Sequence, residues 1–200
     1  MGRKSLSKKR KNITSKANKW LSELLVGLQY EDLEELTMDD IARIAGKSKS
    51  TIYEYFESKE EILQAACQTR TIALSESILN IGSQKLDTVD LYGHLIEIFA
   101  EGTSGISLSF LQNIKQYYPK AWSVIDEFIN SFVELLKDHY RQGITEGIYN
   151  SVSIELLGNI DKLFVIQVVT SPSIFSDEKY TISNLVRDYL KLRLFGLLKR

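Results

Sequence analysis

Proline occurs only twice in the 200 residues and glycine eleven times. Such a shortage of turn-formers argues against a sandwich of short strands and for long helices. The single cysteine, Cys67, cannot close an intrachain disulfide, so no oxidising compartment is implied. No run of 18 apolar residues occurs, and the basic N-terminus is not followed by an apolar stretch. Neither a membrane span nor a signal peptide is therefore expected, and the cytoplasm is the expected location. Catalytic parts are equally scarce. The two histidines, His94 and His139, have no cysteine or carboxylate at metal-ligand spacing. The "AGKS" at 45–48 ends like a phosphate-binding loop, but the glycine that motif needs at position 41 is an isoleucine. No enzyme activity, metal or cofactor is expected.

What is present is the composition of an ordinary globular chain, 44% hydrophobic and 26% charged, with a net charge of −1. The charge is unevenly placed. Residues 1–70 hold 13 Lys/Arg against 11 Asp/Glu, and residues 71–200 hold 12 against 15. Arg3, Lys4, Lys8, Lys9, Arg10 and Lys11 form an unopposed cationic run. It reads either as a solvated tail or as an arm attracted to phosphates.

Apolar residues recur with helical period along the whole chain. Ile13, Ala17, Trp20, Leu21, Leu24, Leu25 and Leu28 predict an amphipathic helix over 13–29. Thr37 with Asp40 is a capping-box variant opening a second helix, which Gly46 stops. A third helix begins near Ser48, turning Ile52 and Phe56 inward. Ser58 with Glu61 opens a fourth that runs to about Ile81. Further helices are expected near 88–101, 105–118, 119–147 (opened by Pro119), 153–171 and 177–197. "LFVIQVV" at 163–169 is β-branched enough for a strand, yet no second strand is available to pair with it, so it is assigned to a helix. The fold class is all-α.

The stretch "IARIAGKSKSTIYEYF" at 41–56 places two short helices across a tight turn, and the second has a polar outer face. That is a helix-turn-helix, in which the second helix enters the major groove of DNA. With Ile52 and Phe56 inward, Lys49, Ser50, Tyr53 and Glu54 point outward. Lysine and tyrosine reach phosphate oxygens, whereas serine, threonine and glutamate reach base edges.

The segment "LTMDDIARIAGKSKSTIYEYFESKEEIL" resembles the N-terminal signature of the TetR (tetracycline-repressor-like) family of transcriptional regulators. The match rests on Thr37, Ile41, Ala42, Ala45, Gly46, Ser48, Thr51, Tyr53, Tyr55, Phe56, Ser58, Lys59 and Glu60. It is specific over about 13–65 and much weaker beyond. The resemblance implies a homodimeric, ligand-responsive repressor of a palindromic double-stranded operator. It would have a three-helix, homeodomain-like DNA-binding domain and a helical bundle for effector binding and dimerisation. It assigns DNA contacts to Thr37, Ser48, Lys49, Ser50, Thr51, Tyr53, Tyr55 and Lys59. Three positions depart from the pattern. Lys47 replaces a usual valine and either loosens the turn or adds a phosphate contact. Ser50 replaces a common glycine. Glu54 replaces an aromatic or basic residue, and either accepts from a cytosine amine or is repelled by phosphates.

The expected organisation is a basic arm (1–11), a DNA-binding domain (12–70, with the helix-turn-helix at about 37–56) and an effector and dimer domain (71–200). Phe99, Phe110, Tyr117, Trp122, Phe128 and Phe132 are candidates to line a site for a small, largely apolar effector, although core aromatics give the same pattern. The last helix carries two apolar stripes rather than one. The stripe Ile182, Val186, Leu190, Leu194 and Leu197 is expected to join Leu156, Ile160, Leu163 and Phe164 in a two-fold four-helix interface. The competing reading is a helical interaction module whose helix-turn-helix no longer binds DNA. Glu54 and the near-neutral charge are what favour it.

Overall fold

The computed structural model describes residues 10–170 and 181–199. Apart from one isolated bridge between Tyr149 and Leu198, all its regular elements are helical. They are α1 (Ser15–Gly27), a 3-10 turn (Leu28–Tyr30), α2 (Met38–Ala45), α3 (Lys49–Tyr53), α4 (Lys59–Gly82), α5 (Thr88–Gly102), α6 (Leu108–Tyr117), α7 (Pro119–Thr145), α8 (Ile154–Thr170) and α9 (Ile182–Leu197). The all-α reading holds, and "LFVIQVV" lies within α8. No helix among the described residues is long and apolar enough to cross a membrane. The cations Arg3, Lys4, Lys8 and Lys9, and the expected helix start at 177, lie outside the described residues.

Local chemistry sets the helix ends. Thr14 caps α1 by accepting from the Ala17 N–H, so Ile13 falls before the helix and stays exposed instead of joining the buried stripe. At α2 both capping-box bonds form between Thr37 and Asp40. Gly46 ends it at φ 59°, the left-handed geometry that costs glycine nothing. The Gly46 and Lys47 N–H groups then close on the Arg43 and Ala42 carbonyls at 3.2 and 3.0 Å. The turn is tight, and Lys47 contributes to it through its backbone. At α4 the Ser58 hydroxyl accepts from the Glu61 N–H, but the Glu61 carboxylate turns to the Glu57 N–H at 2.7 Å.

Two apolar cores result. The first gathers Trp20, Leu21, Leu24, Leu28, Ile41, Ile52, Phe56, Ile62 and Leu63 from α1–α4. It also takes in Phe110, Ile114, Tyr118 and Ala121 from α6 and the start of α7. Polar ties reinforce that junction. The Tyr118 hydroxyl donates to the Leu33 carbonyl at 2.8 Å, and the Ser107 N–H donates to Gln29 at 2.7 Å. The second core holds Tyr92, Ile96, Phe99, Phe132, Leu136 and Tyr140 together with Ile182, Val186, Leu190 and Leu197 of α9. Helix α4 packs on α1, α5 and α7 and so links the two cores.

Candidate nucleic-acid interface

The short helix α3 is held from below. Ile52 is fully buried, and Phe56 meets the Trp20 ring edge-on with centroids 6.0 Å apart. A Cβ on Gly27 would fall 2.4 Å from the Ile44 side chain, so only glycine lets α1 approach α2 this closely. With that side fixed, the opposite face of α3 turns to solvent.

On that face Ser48 caps α3 by accepting from the Thr51 N–H. Its hydroxyl lies 2.8 Å from those of both Ser50 and Thr51. Three hydroxyls that each donate and accept form an adaptable cluster at the N-terminal end of the helix. Lys49 is exposed and pairs with Asp39 at 2.6 Å. Tyr53 is exposed, whereas Tyr55 is half-buried and packs against the first core. Thr37 is exposed, but its hydroxyl and N–H both bond Asp40 and hold that carboxyl below its usual range. Lys59 donates to the Leu36 carbonyl, fixing the start of α4 to the loop that caps α2. Glu54 is not free on this face: Lys11 reaches it at 2.6 Å. Lys47 has no carboxylate partner among the described residues.

An apolar cavity of about 100 Å³ lies between the two cores. Phe99, Phe110 and Phe128 line it, together with Cys67, Val165 and Val186. Phe132 lines a smaller neighbouring cavity, with Phe99 on the wall between them. Tyr117 and Trp122 are elsewhere. Tyr117 donates to Glu34 at 2.7 Å, and Trp122 packs on the first core beneath Lys115. Sequence reasoning missed Arg70, which reaches this cavity from α4. Its guanidinium donates to the Gly102 and Ser104 carbonyls, and burial pulls its pKa down. Burial also pushes the Cys67 thiol up to about 12, so the wall there is chemically quiet.

The stripe assignment on α9 is corrected. Ile182, Val186, Leu190 and Leu197 are buried within the subunit, where α9 packs on α5, and Leu194 is half-buried on the same core. Phe164 is half-buried, stacked on Tyr189 of the same subunit with ring centroids 3.8 Å apart. Leu156, Ile160 and Leu163 of α8 do face solvent, and so do Leu192 of the other stripe of α9 and Phe195, which belongs to neither stripe. The inward orientation of α9 is fixed by Asp161, a carboxylate 2% exposed that receives Tyr140, Tyr189 and Arg193.

The family model described as bacterial regulatory proteins, tetR family, matches residues 29–66. The chain is 26% identical over 134 residues to the uncharacterized HTH-type transcriptional regulator YvaF of Bacillus subtilis (strain 168), covering 64% of this chain and 70% of the relative. Among solved structures it is similar to FadR from Bacillus subtilis in complex with stearoyl-CoA. That likeness has a TM-score of 0.63 and 19% identity, and covers 89% of this chain and 98% of that one. It is also similar to a putative transcriptional regulator from Saccharomonospora viridis in complex with choline, with a TM-score of 0.69, 15% identity, and coverage of 94% and 100%. The motif and the matched residues agree: residues 29–66 form a helix-turn-helix domain of the kind described for bacterial regulatory proteins of the tetR family, and the chain shares the fold of these solved structures.

Proposed function

We propose that this regulator is a ligand-responsive homodimeric repressor of the cytoplasm that binds a palindromic operator through α3. The observation that carries this reading is the solvent face of α3, hydroxyls and cations set over a rigid apolar base. Ser48, Ser50 and Thr51 would meet base edges. Lys47, Lys49, Tyr53 and Tyr55 would meet phosphates, with Thr37 and Lys59 beside them. The arm (1–11), the DNA-binding domain (12–70) and the effector and dimer domain (71–200) divide the work.

Two copies would join through the exposed apolar faces of α8 and α9, at Leu156, Ile160, Leu163, Leu192 and Phe195. The two-fold axis would then set the recognition helices about 34–36 Å apart, or a multiple of that, to match successive major grooves. The effector would enter the cavity lined by Phe99, Phe110 and Phe128. It would be small and largely apolar, because hydrocarbon side chains make up most of that wall among the described residues. Stearoyl-CoA and choline occupy two proteins of the same fold, so the fold alone does not choose the ligand. The coupling runs through α4 and α6, which touch both the cavity and the first core. Reversing a 99:1 population needs about 5.5 kcal/mol of differential affinity between the two states.

Selection of bound duplexes from a random DNA pool tests the reading. A two-fold symmetric sequence bound by two chains is the expected product. A pool that emerges without enrichment, from protein shown to be folded, would favour the interaction-module reading instead.

A further inference from the structure

Arg70 is a half-buried cation without a carboxylate partner among the described residues. It borders both the apolar cavity and an outer groove of about 290 Å³ between α1, α4 and α5. Its Nε and Nη2 donate to the Gly102 and Ser104 carbonyls at 2.8 and 3.0 Å, and Nη1 donates to nothing among the described residues. Glu101 lines the same groove, but it is exposed and makes no bond to Arg70. A guanidinium drawn partly out of water with donors to spare is a ready seat for an anion. The other polar groups nearby are committed. The Thr71 and Thr103 hydroxyls donate to helix carbonyls, and Asp161 in the adjoining cavity is already neutralised by Arg193. A cationic head therefore meets no free counter-charge on the inner side.

Arg70, Leu74 and Gly102 line both spaces and form the partition between them. The Leu74 side chain sits directly on Gly102, where a Cβ would fall 1.9 Å from it. We propose that the effector is an amphiphilic carboxylate, with its hydrocarbon in the cavity and its head on Nη1 of Arg70 at the edge of the groove. The Ser22 hydroxyl of α1 lines that groove and is a second donor for the head. The head then touches α1 of the DNA-binding unit as well as α4, so occupancy bears on both helices that carry the first core.

The inference rests on an effector entering this cavity, and the experiment separates the two. The probes are the straight-chain acids from butanoate to decanoate, with the alcohol and the amine of each length. Calorimetry reads their affinity for the full chain, and fluorescence anisotropy reads release of the selected duplex. R70Q and R70K are compared with the wild type, and circular dichroism checks each fold. In the wild type the best acid should bind roughly tenfold tighter than its matched alcohol, the advantage of a hydrogen bond to a charged group. It should also release the duplex at a correspondingly lower concentration, and the amine should bind most weakly. R70Q should bind acid and alcohol alike, with the alcohol unaffected. R70K keeps the charge but not the planar fork, and should retain part of the preference. The anionic head is overturned if wild type binds the alcohol or the amine as tightly as the acid, if the acid preference survives R70Q or R70K undiminished, or if bound acid leaves duplex affinity unchanged. Each of those outcomes leaves an apolar effector in the cavity standing. Absence of binding by all three series would overturn the cavity reading as well.

Discussion

The two ends of the molecule are built in opposite senses. Around α3 the hydrocarbon is inside and the charge outside: Ile52 and Phe56 are buried, while Lys49–Asp39, Lys11–Glu54 and Arg10–Glu57 pair in solvent. Around α8 and α9 polar groups are inside. Asp161, Arg193 and His139 sit among tyrosines, while Leu163 and Phe195 are 64% and 69% exposed. Exposed ion pairs are worth only about 0–1 kcal/mol each. The first end is thus complete in water, and its loosely held cations are available to a polyanion. The second end holds its helices in register with a buried network and leaves apolar surface uncovered, the condition of a face made for another protein.

The largest expected break comes from charging that second face. Leu163→Glu with Phe195→Glu should give a folded monomer whose affinity for a palindromic operator falls by orders of magnitude, read by sedimentation and anisotropy. Leu190→Glu, at a site 3% exposed, should instead unfold the subunit, because a carboxylate there has no partner. If the first variant stays dimeric, α8 and α9 are not the interface.

A smaller effect should expose the polar interior. His139 is buried, its Nε2 is 2.8 Å from the Tyr149 hydroxyl, and burial depresses its pKa to about 4 against a weaker opposing pull from Glu146. Tyr92 and Tyr140 pack on the same ring. The unfolded chain takes up a proton near the ordinary histidine value while the folded one resists it. Stability should therefore be lost as pH falls from about 6.5 towards 4, by about 3 kcal/mol from this group. Urea unfolding of the wild type and of His139→Gln across that range should show the variant with the flatter dependence. Equal slopes would mean that His139 is protonated in the fold without penalty.

The smallest effect belongs to the charged end. Lys47→Ala should leave stability nearly unchanged, since only the Lys47 backbone serves the turn. It should lower the salt slope of DNA binding by about 0.9 if the ammonium meets one phosphate. An unchanged slope would remove Lys47 from the contact surface.

Much of this was legible in the sequence, because helix periodicity and capping are local signals. Thr37, Gly46, Ser58 and Pro119 fall at the helix ends the pattern gives them. What escaped was non-local. Glu54 meets Lys11 across 43 positions, and no spacing rule foretells such a pair. The two stripes of α9 are similarly apolar, and the choice between them is made by packing on α5 and by Asp161, which lies 32 positions from Arg193. Tyr117 and Trp122 look like cavity aromatics in sequence. They serve the first core and its surface because α6 docks there. Arg70 reads as an ordinary helical arginine until α5 delivers two carbonyls to it.

The shared first core also limits how the protein can be taken apart. Phe110, Ile114, Tyr118 and Ala121 belong to the same apolar cluster as the helix-turn-helix, although they lie about forty residues or more beyond residue 70, where the sequence alone suggests the DNA-binding domain ends. A fragment stopped there would expose the seat of α6 to water. A chimaera that joined this DNA-binding unit to another sensor at residue 70 would inherit a mismatched surface. Exchange of specificity between such regulators has to carry α6 along with α1–α4, so the transferable module is discontinuous in the chain even though it is continuous in space.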